Sequence, residues 1–296
     1  MYNNSNNNED QTLRIMSFNI RYDSHKDGIN NWVNRRNLVV DTIKQTKPTI
    51  IGFQECLKNQ IEEIINDLGG DYSFVGVGRD DGLSKGEYSP IAYNNKLVRY
   101  DHGSHFWISQ DCYVAGSKSW DTMCPRIATW GKFKYHNNSK KSFYTLNTHL
   151  DHMSSLARSE GTLLIKSFVS HLDPSIPCII TGDFNEEVGS KPYRNIIDKM
   201  DDMVGHKYMN MLKIPIAPTY SLKTFKDCSK AANNRDGPFH TFTGFTDEYK
   251  VTIDYIFVNA SVKSVDKFQV LTGHLKIETD GLKPSDHLPI YADLII

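Results

Sequence analysis

Six short strings in this 296-residue chain set carboxylates, amides and imidazoles against the ends of apolar runs. "MSFN" closes on Asn19, "IIGFQE" on Glu55, and "YTLNTHLD" on His149 and Asp151. "IITGDFNEE" carries Asp183 and Asn185, "TIDYIFV" carries Asp254 near its start, and "PSDHLPI" places Asp286 and His287 before the last apolar run. Carboxylates with an amide oxygen suit a hard cation such as Mg²⁺ or Mn²⁺, which takes oxygen ligands and retains waters. A cation, a carboxylate that orients water and a histidine that meets developing charge make a set suited to hydrolysis of a phosphate ester. Each residue alone has an ordinary reading: Glu55 as an acid at a helix start, Asp183 and Asn185 as turn residues, Asp254 as an edge-strand charge. Their recurrence at successive strand ends favours the chemical reading.

Spacing decides which of them converge. Side chains two apart on a strand share a face, which groups Asp183 with Asn185, His149 with Asp151, and Ser17 with Asn19. Asp286 and His287 are neighbours and diverge on a regular strand. Pro289 biases Leu288 to an extended conformation and Ser285-Asp286 favours a turn, where both side chains can face one pocket. Two other Asp-His doublets, at Asp101-His102 and Asp151-His152, show that the doublet alone is no signature.

The elements that must hold these residues alternate early and then change character. "LRIMSFN" reads as a strand, and "NRRNLVVDTIKQTK" as a helix capped by Asn34 and ended by Pro48. "TIIGFQE" reads as a buried strand, and "CLKNQIEEIINDLGG" as a helix closed by Gly69-Gly70. Short strands follow at "YSFVGVG", "SPIAYN", "LVRYDHGSHFWIS", "RIATWGKFKY" and "KSFYTLNTHL". A long helix over "SSLARSEGTLLIKSFVSHL" precedes the strand "CIITGDFN" and a short helix capped by Ser190. The stretch 201–250 is polar and reads as loop; strands return at "TIDYIFVNA", "VKSVDKFQVL" and "LPIYADLII". Adjacent hairpins with few crossover helices imply mixed or antiparallel sheets packed face to face, with helices outside.

Composition is that of an ordinary globular protein, 39% hydrophobic and 23% charged, with a net charge of −1. Tight binding to duplex DNA usually draws on a basic surplus, so a small or single-stranded phosphate substrate is expected. Five scattered cysteines without a Cys-x-x-Cys pair argue against a disulfide framework or zinc knuckle. The N-terminus "MYNNSNNNEDQ" has no apolar segment of the secretory kind, and no apolar run approaches membrane length. Residues 1–12 are expected to be a disordered Asn-rich tail and 13–296 a single domain. An intracellular, cytoplasmic monomer without membrane contact is expected.

The six strings, in this chain order and from Leu13 to Ile296, resemble the endonuclease/exonuclease/phosphatase superfamily. "NNWVNRR", "GVGRDDG", "KGEYSPIAY", "CPRIATW" and "TFTGF" further resemble a branch near the deadenylase-like enzymes, away from the base-excision repair nucleases. The resemblance implies an α/β fold, a four-layer αββα sandwich with two mixed β-sheets face to face. It implies Glu55 as principal metal ligand, with Asn19 beside it serving both the metal and the base. It implies Asp183 as the base that orients water, Asn185 and His149 as phosphate contacts, and His287 as the group that stabilises the transition state. Asp254 would orient that imidazole, and Asp286 would be a second metal contact. Arg126, Arg79 and Glu87 lie in the branch-specific strings, and Arg126 is a candidate phosphate clamp. Mg²⁺ is the implied cofactor, with Mn²⁺ an alternative. The expected activity is metal-dependent hydrolysis of a phosphodiester of RNA or single-stranded nucleic acid, or of a small phosphorylated metabolite.

A cysteine phosphatase needs Cys-x₅-Arg, but Lys118 and Trp130 stand six places after Cys112 and Cys124. A binding or scaffold protein that kept the fold and lost the chemistry should lack a metal or base position, whereas Glu55, Asp183, Asn185, Asp254 and His287 are all present.

Overall fold

Strand alternation sorts apolar from polar side chains and thereby builds the layers. The computed structural model describes residues 10–199, 201–216, 222–248, 250–272 and 281–296. Strand β1 (Thr12–Asn19) turns Leu13 and Ile15 to one face and Met16 and Phe18 to the other. It pairs in parallel with β2 (Ile50–Gln54) and antiparallel with β13 (Ile290–Ile295). With β3 (Tyr72–Val75), β4 (Ile91–Asn94), β10 (Ala232–Asp236) and β12 (Ser264–Val270) these form one mixed sheet, ordered β10-β12-β13-β1-β2-β4-β3. The second mixed sheet runs β5 (Val98–Trp107), β6 (Ile127–Tyr135), β7 (Ser142–His149), β8 (Cys178–Asp183), β11 (Asp254–Asn259) and β9 (Phe225–Asp227).

Helices cover both outer faces. Val39 and Ile43 of α1 (Trp32–Thr46) and Ile61 and Ile64 of α2 (Lys58–Asp67) join Met16, Phe18, Ile51 and Phe53 in one apolar cluster. On the far side α3 (Ser155–His171), α4 (Lys191–Ile197) and α5 (Asp202–Met211) pack on Leu146, Ile180 and Phe257. Leu13, Ile15, Ile50, Phe143, Ile179 and Ile256 fill the space between the sheets. The expected αββα sandwich is therefore the observed one.

Local expectations differ in three places. The cap of α1 is Asn31, whose side chain accepts from Asn34 N–H, not Asn34 itself. The polar stretch after Asp201 is not all loop: it contains α5, β9, α6 (Cys228–Ala231) and β10. Burial of Gly205, Tyr208 and Met209 gives α5 its stability despite its polar composition. Of the expected tail, residues 1–9 lie outside the described residues, while Gln11 already exchanges backbone hydrogen bonds with Ile296 and Thr12 opens β1. Among the described residues no helix is long and apolar enough to cross a membrane.

Along the inter-sheet space the lining changes from apolar to polar, and the change leads to the candidate site. Gln54 Nε2 donates to Asn147 Oδ1 at 2.7 Å, and Thr181 Oγ1 donates to the same oxygen at 3.0 Å. Asn147 Nδ2 donates to Phe53 O at 2.6 Å and Pro90 O at 3.0 Å, tying the sheets together. Gly52 leaves room for this layer: a Cβ there would sit 2.2 Å from Thr181 Oγ1 and 2.5 Å from Asn147 Oδ1. Gly52→Ala is therefore expected to destabilise the fold by about 1–3 kcal/mol, the usual range for overpacking. Urea denaturation reads this directly, and an unchanged midpoint would remove the role given to this layer.

Candidate active site

The next step along the same faces brings four polar residues together. Asn19, His149, Asp183 and Asp254 belong to the inner faces of β1, β7, β8 and β11. In the second sheet Asp183 is paired in register with His149 on one side and Asp254 on the other. Asn19 crosses from the first sheet, donating from Nδ2 to Asp183 Oδ2 at 3.0 Å and to Glu55 Oε1 at 3.2 Å.

The loops after these strands are bent to aim their side chains. Arg21, Glu55 and Asn185 all have left-handed backbone, with φ of 57°, 57° and 48°. Such a conformation costs a non-glycine residue roughly 1–2 kcal/mol, and here local hydrogen bonds hold it. Asp183 Oδ1 accepts from Asn185 N–H at 2.9 Å, Glu55 Oε2 from Tyr22 N–H at 3.2 Å, and Asn19 Oδ1 from Arg21 N–H at 2.9 Å. The turn at Ser285 is tied by its hydroxyl to Asn19 O at 2.7 Å, and it presents both Asp286 and His287 to the cavity.

The cavity measures about 740 Å³ and is lined by Glu55, Asp183, Asn185, His149, Asp286 and His287, together with Arg21, Arg79, Glu87 and Arg126. Asn19 and Asp254 stand behind this wall and act through the residues in it. His287 Nδ1 lies 2.9 Å from Asp254 Oδ2, and its Nε2 is 3.7 Å from Asp183 Oδ2. Burial alone would strip the proton from His287. The charge of Asp254 and its hydrogen bond, with Asp183 and Asp286 nearby, outweigh burial and hold His287 well above the ordinary imidazole range. Burial, then the charge of Asp254, push Asp183 up to about 7 against the pull of His287. A carboxylate with raised proton affinity thus faces an imidazolium.

A second carboxylate group lies beside it. Glu55 and Asp286 both turn towards Arg21, at 3.7 and 4.0 Å, and Arg21 is itself engaged by Asp27 at 3.0 Å. Burial and the charge of Glu55 raise Asp286 against the pull of His287, Arg21 and Arg35. This crowding of oxygen donors fits a hard cation. Ligand atoms of Glu55, Asp183 and His287 lie within 4.8 Å of one another; the carboxylates are the harder donors, and Glu55 is common to this group and to the pair it forms with Asp286 around Arg21. Asn19 does not present its oxygen to them: the amide turns Nδ2 to Glu55 and Asp183, and Oδ1 accepts Arg21 N–H. Its part here is to position Glu55 and Asp183 rather than to ligate.

One further expected contact is placed differently. Asn185 Nδ2 donates to Leu150 O and to His149 Nε2, each at 3.0 Å, so both of its N–H groups are spent. A phosphate contact from Asn185 requires release of the His149 bond. Asp151 lies behind the wall, accepting from Met123, Met153 and Ser154 N–H. Trp32 and Trp120 pack in or against the core, and the Asp101-His102 doublet lies on β5 with His102 exposed.

Sequence reasoning missed Arg21 and Arg35. Arg35 is fully buried and donates to the carbonyls of Ile20, Arg21, Asn30 and Pro284, fastening the loops that carry Arg21 and Asp286. The arginine pair in "NNWVNRR" was its only signal. The chain also holds one Gly-x-Ser-x-Gly string, Gly82 to Gly86. A nucleophile elbow requires a strained strand-to-helix turn, whereas Ser84 is exposed in a loop and its N–H donates to Asp81.

The sequence model of the Endonuclease/Exonuclease/phosphatase family matches residues 16–287. The chain is similar to an endonuclease/exonuclease/phosphatase of Bacteroides vulgatus, with 33% identity, a TM-score of 0.81, and coverage of 96% of this chain and 98% of that one. It is similar to a mannosyl-6-phosphatase of Bacteroides thetaiotaomicron, with 28% identity, a TM-score of 0.79, and coverage of 96% and 100%. The human Nocturnin catalytic domain shares the fold, at 16% identity with a TM-score of 0.67 over 97% of each chain.

Proposed function

The chain belongs to the endonuclease/exonuclease/phosphatase family, and on that premise we propose that it is a divalent-metal-dependent hydrolase of phosphate esters. The observation that carries this reading is the Asp183–His287–Asp254 arrangement: a carboxylate raised to about 7 faces an imidazolium whose other nitrogen is bonded to a second carboxylate. A carboxylate that titrates near neutral pH beside an imidazole that keeps its proton gives two groups suited to separate roles. Asp183 orients the attacking water and takes its proton. His287 donates from Nε2 to a phosphoryl oxygen as negative charge builds. Asp254 holds the imidazole charged and in one orientation.

Glu55 and Asp286 would hold the metal, Mg²⁺ or Mn²⁺ by their all-oxygen chemistry. Bound there, it would act as a Lewis acid on the phosphoryl group. Arg21 balances these carboxylates from the side, and Asn19 keeps Glu55 and Asp183 at fixed separation.

A net charge of −1, without the basic surplus on which tight duplex binding usually draws, favours a small phosphorylated molecule or a single-stranded end over duplex nucleic acid. A mannosyl-6-phosphatase among the similar structures supports a small ester as substrate. The test is a panel of p-nitrophenyl phosphate, its bis-ester, nucleotides, oligonucleotides and sugar phosphates, offered to purified protein with Mg²⁺ or Mn²⁺. Turnover of at least one is expected. If every member stays intact, the hydrolytic reading fails and a binding or scaffold role takes its place.

A further inference from the structure

The cavity holds more hydrogen-bond donors on its His149 side than the proposed chemistry uses. Arg126 is 4% exposed, and its Nε and Nη1 have no acceptor. Only Nη2 is engaged, with His152 Nδ1 at 2.9 Å. Arg79 gives both terminal nitrogens to Glu87 at 2.8 Å each, which leaves its buried Nε without a hydrogen bond. His149 adds another donor. Burial, then the charges of Arg126 and Arg79, hold it neutral. Its Nε2 accepts from Asn185, whose orientation is set by the second bond to Leu150 O. A neutral imidazole that accepts at Nε2 carries its proton at Nδ1. That Nδ1 is buried without a partner, 3.8 Å from Glu87 Oε2.

Buried donors without acceptors cost stability, and in native proteins they commonly await a ligand or water. The charge balance says what kind. The guanidinium of Arg79 is met by Glu87, with Asp80 4.0 Å from its Nε, and that of Arg126 faces Asp151 at 3.6 Å. His149 brings no charge. This end of the cavity is electrically balanced yet rich in N–H groups. A second phosphate or carboxylate there would bring unmatched negative charge against Glu87 and Asp151. A neutral hydroxyl accepts an N–H and gives its own proton to a carboxylate, so it meets both needs.

We propose that Arg79, Arg126, Glu87 and His149 Nδ1 form a subsite for the hydroxyl groups of the leaving alcohol, making the preferred substrate a phosphate ester of a sugar or other neutral polyol. Arg126 then recognises the alcohol and is not a clamp on the scissile phosphate. This assignment rests on the hydrolytic reading above.

The test compares a hexose 6-phosphate, a hexose 1,6-bisphosphate and p-nitrophenyl phosphate, with the full chain and Mg²⁺. Glu87→Gln and, separately, Arg126→Lys are expected to lower the ratio of kcat/KM for the hexose 6-phosphate over p-nitrophenyl phosphate at least tenfold, chiefly through KM. Equal losses on both substrates would overturn the subsite, as would a wild-type preference for the bisphosphate. A second measurement does not depend on turnover. Calorimetry with Asp183→Asn protein is expected to show the hexose 6-phosphate binding at least tenfold more tightly than inorganic phosphate, and adding Glu87→Gln should erase that preference. Absence of the preference overturns the subsite even if the enzyme hydrolyses other esters. A preference in a protein that hydrolyses nothing leaves the subsite standing and removes the hydrolytic reading.

Discussion

Asp183→Asn is expected to lower turnover by about 10²–10⁴-fold, the usual worth of a positioned acid–base group, while raising the melting temperature of the metal-free protein at pH 8. The two effects share a cause. Asp183 is 1% exposed and paired in register with Asp254, so its charge is held in the fold at a cost. Its folded value of about 7 lies above the ordinary carboxylate value of 3.8. Between those limits the native state keeps a proton that the unfolded chain has lost, so stability falls as pH rises through the window. Above about 7 the whole penalty applies. Asparagine keeps the shape and carries no charge, at the loss of one of the two hydrogen bonds that Asp183 accepts from Asn19 Nδ2 and Asn185 N–H. A tenfold change in proton affinity is worth about 1.4 kcal/mol, so a gain on the order of a few kcal/mol is expected at pH 8, fading towards pH 4. For a chain of this size that is a rise of several degrees, at roughly 2–4 °C per kcal/mol. Thermal scans in chelator at pH 5 and pH 8 check the sign. A lower melting temperature for the variant at pH 8, or retained turnover, would sink the role given to Asp183.

Asp254→Asn is expected to cost a similar factor in turnover by a different route, and the pH profile separates the two. Wild-type activity should rise through about pH 7 as Asp183 loses its proton, and fall at higher pH as His287 loses its own. Burial opposes the charge on His287, and Asp254 is the main force against it. Once that carboxylate is an amide, the imidazole should be neutral near pH 7, leaving phosphoryl oxygen without a cationic donor. The basic limb should therefore move to lower pH, and the acidic limb with it, because the charge of Asp254 also holds Asp183 up. The stability sign agrees: His287 binds its proton more tightly when folded, so its contribution is full at low pH and is lost as pH rises through its folded value. Loss of activity with an unmoved basic limb would mean that Asp254 supports the fold and not the proton on His287.

The share of this site that was legible in the sequence follows strand geometry. Asn19, His149, Asp183 and Asp254 end or begin strands, and a period of two is enough to put them on one face. Glu55 and the Asp286-His287 turn were legible as strings at strand ends. The sequence does not show what a residue does with each of its atoms. Asn19 looked like a ligand, yet it turns Nδ2 and not its oxygen to Glu55 and Asp183; Asn185 looked like a phosphate donor, yet both N–H groups are engaged. Arg35 was missed because its partners are backbone carbonyls, and Arg21 because Glu55 and Asp286, which bring it to the site, are distant along the chain. Helix α5 was hidden because its burial comes from α3, a tertiary contact that outweighs its polar composition.

The central claim is that a divalent cation at Glu55 and Asp286 works with Asp183 and His287 on a phosphate ester. Its most direct test is the dependence of turnover on Mg²⁺ in chelator-stripped protein, with wild type and Glu55→Gln side by side on the best substrate of the panel. Wild type should be inactive after stripping and recover along a saturable Mg²⁺ curve, whereas Glu55→Gln should need at least a hundredfold more metal or fail to recover. Full turnover of the stripped wild type, or superimposable curves for the two proteins, would contradict the account.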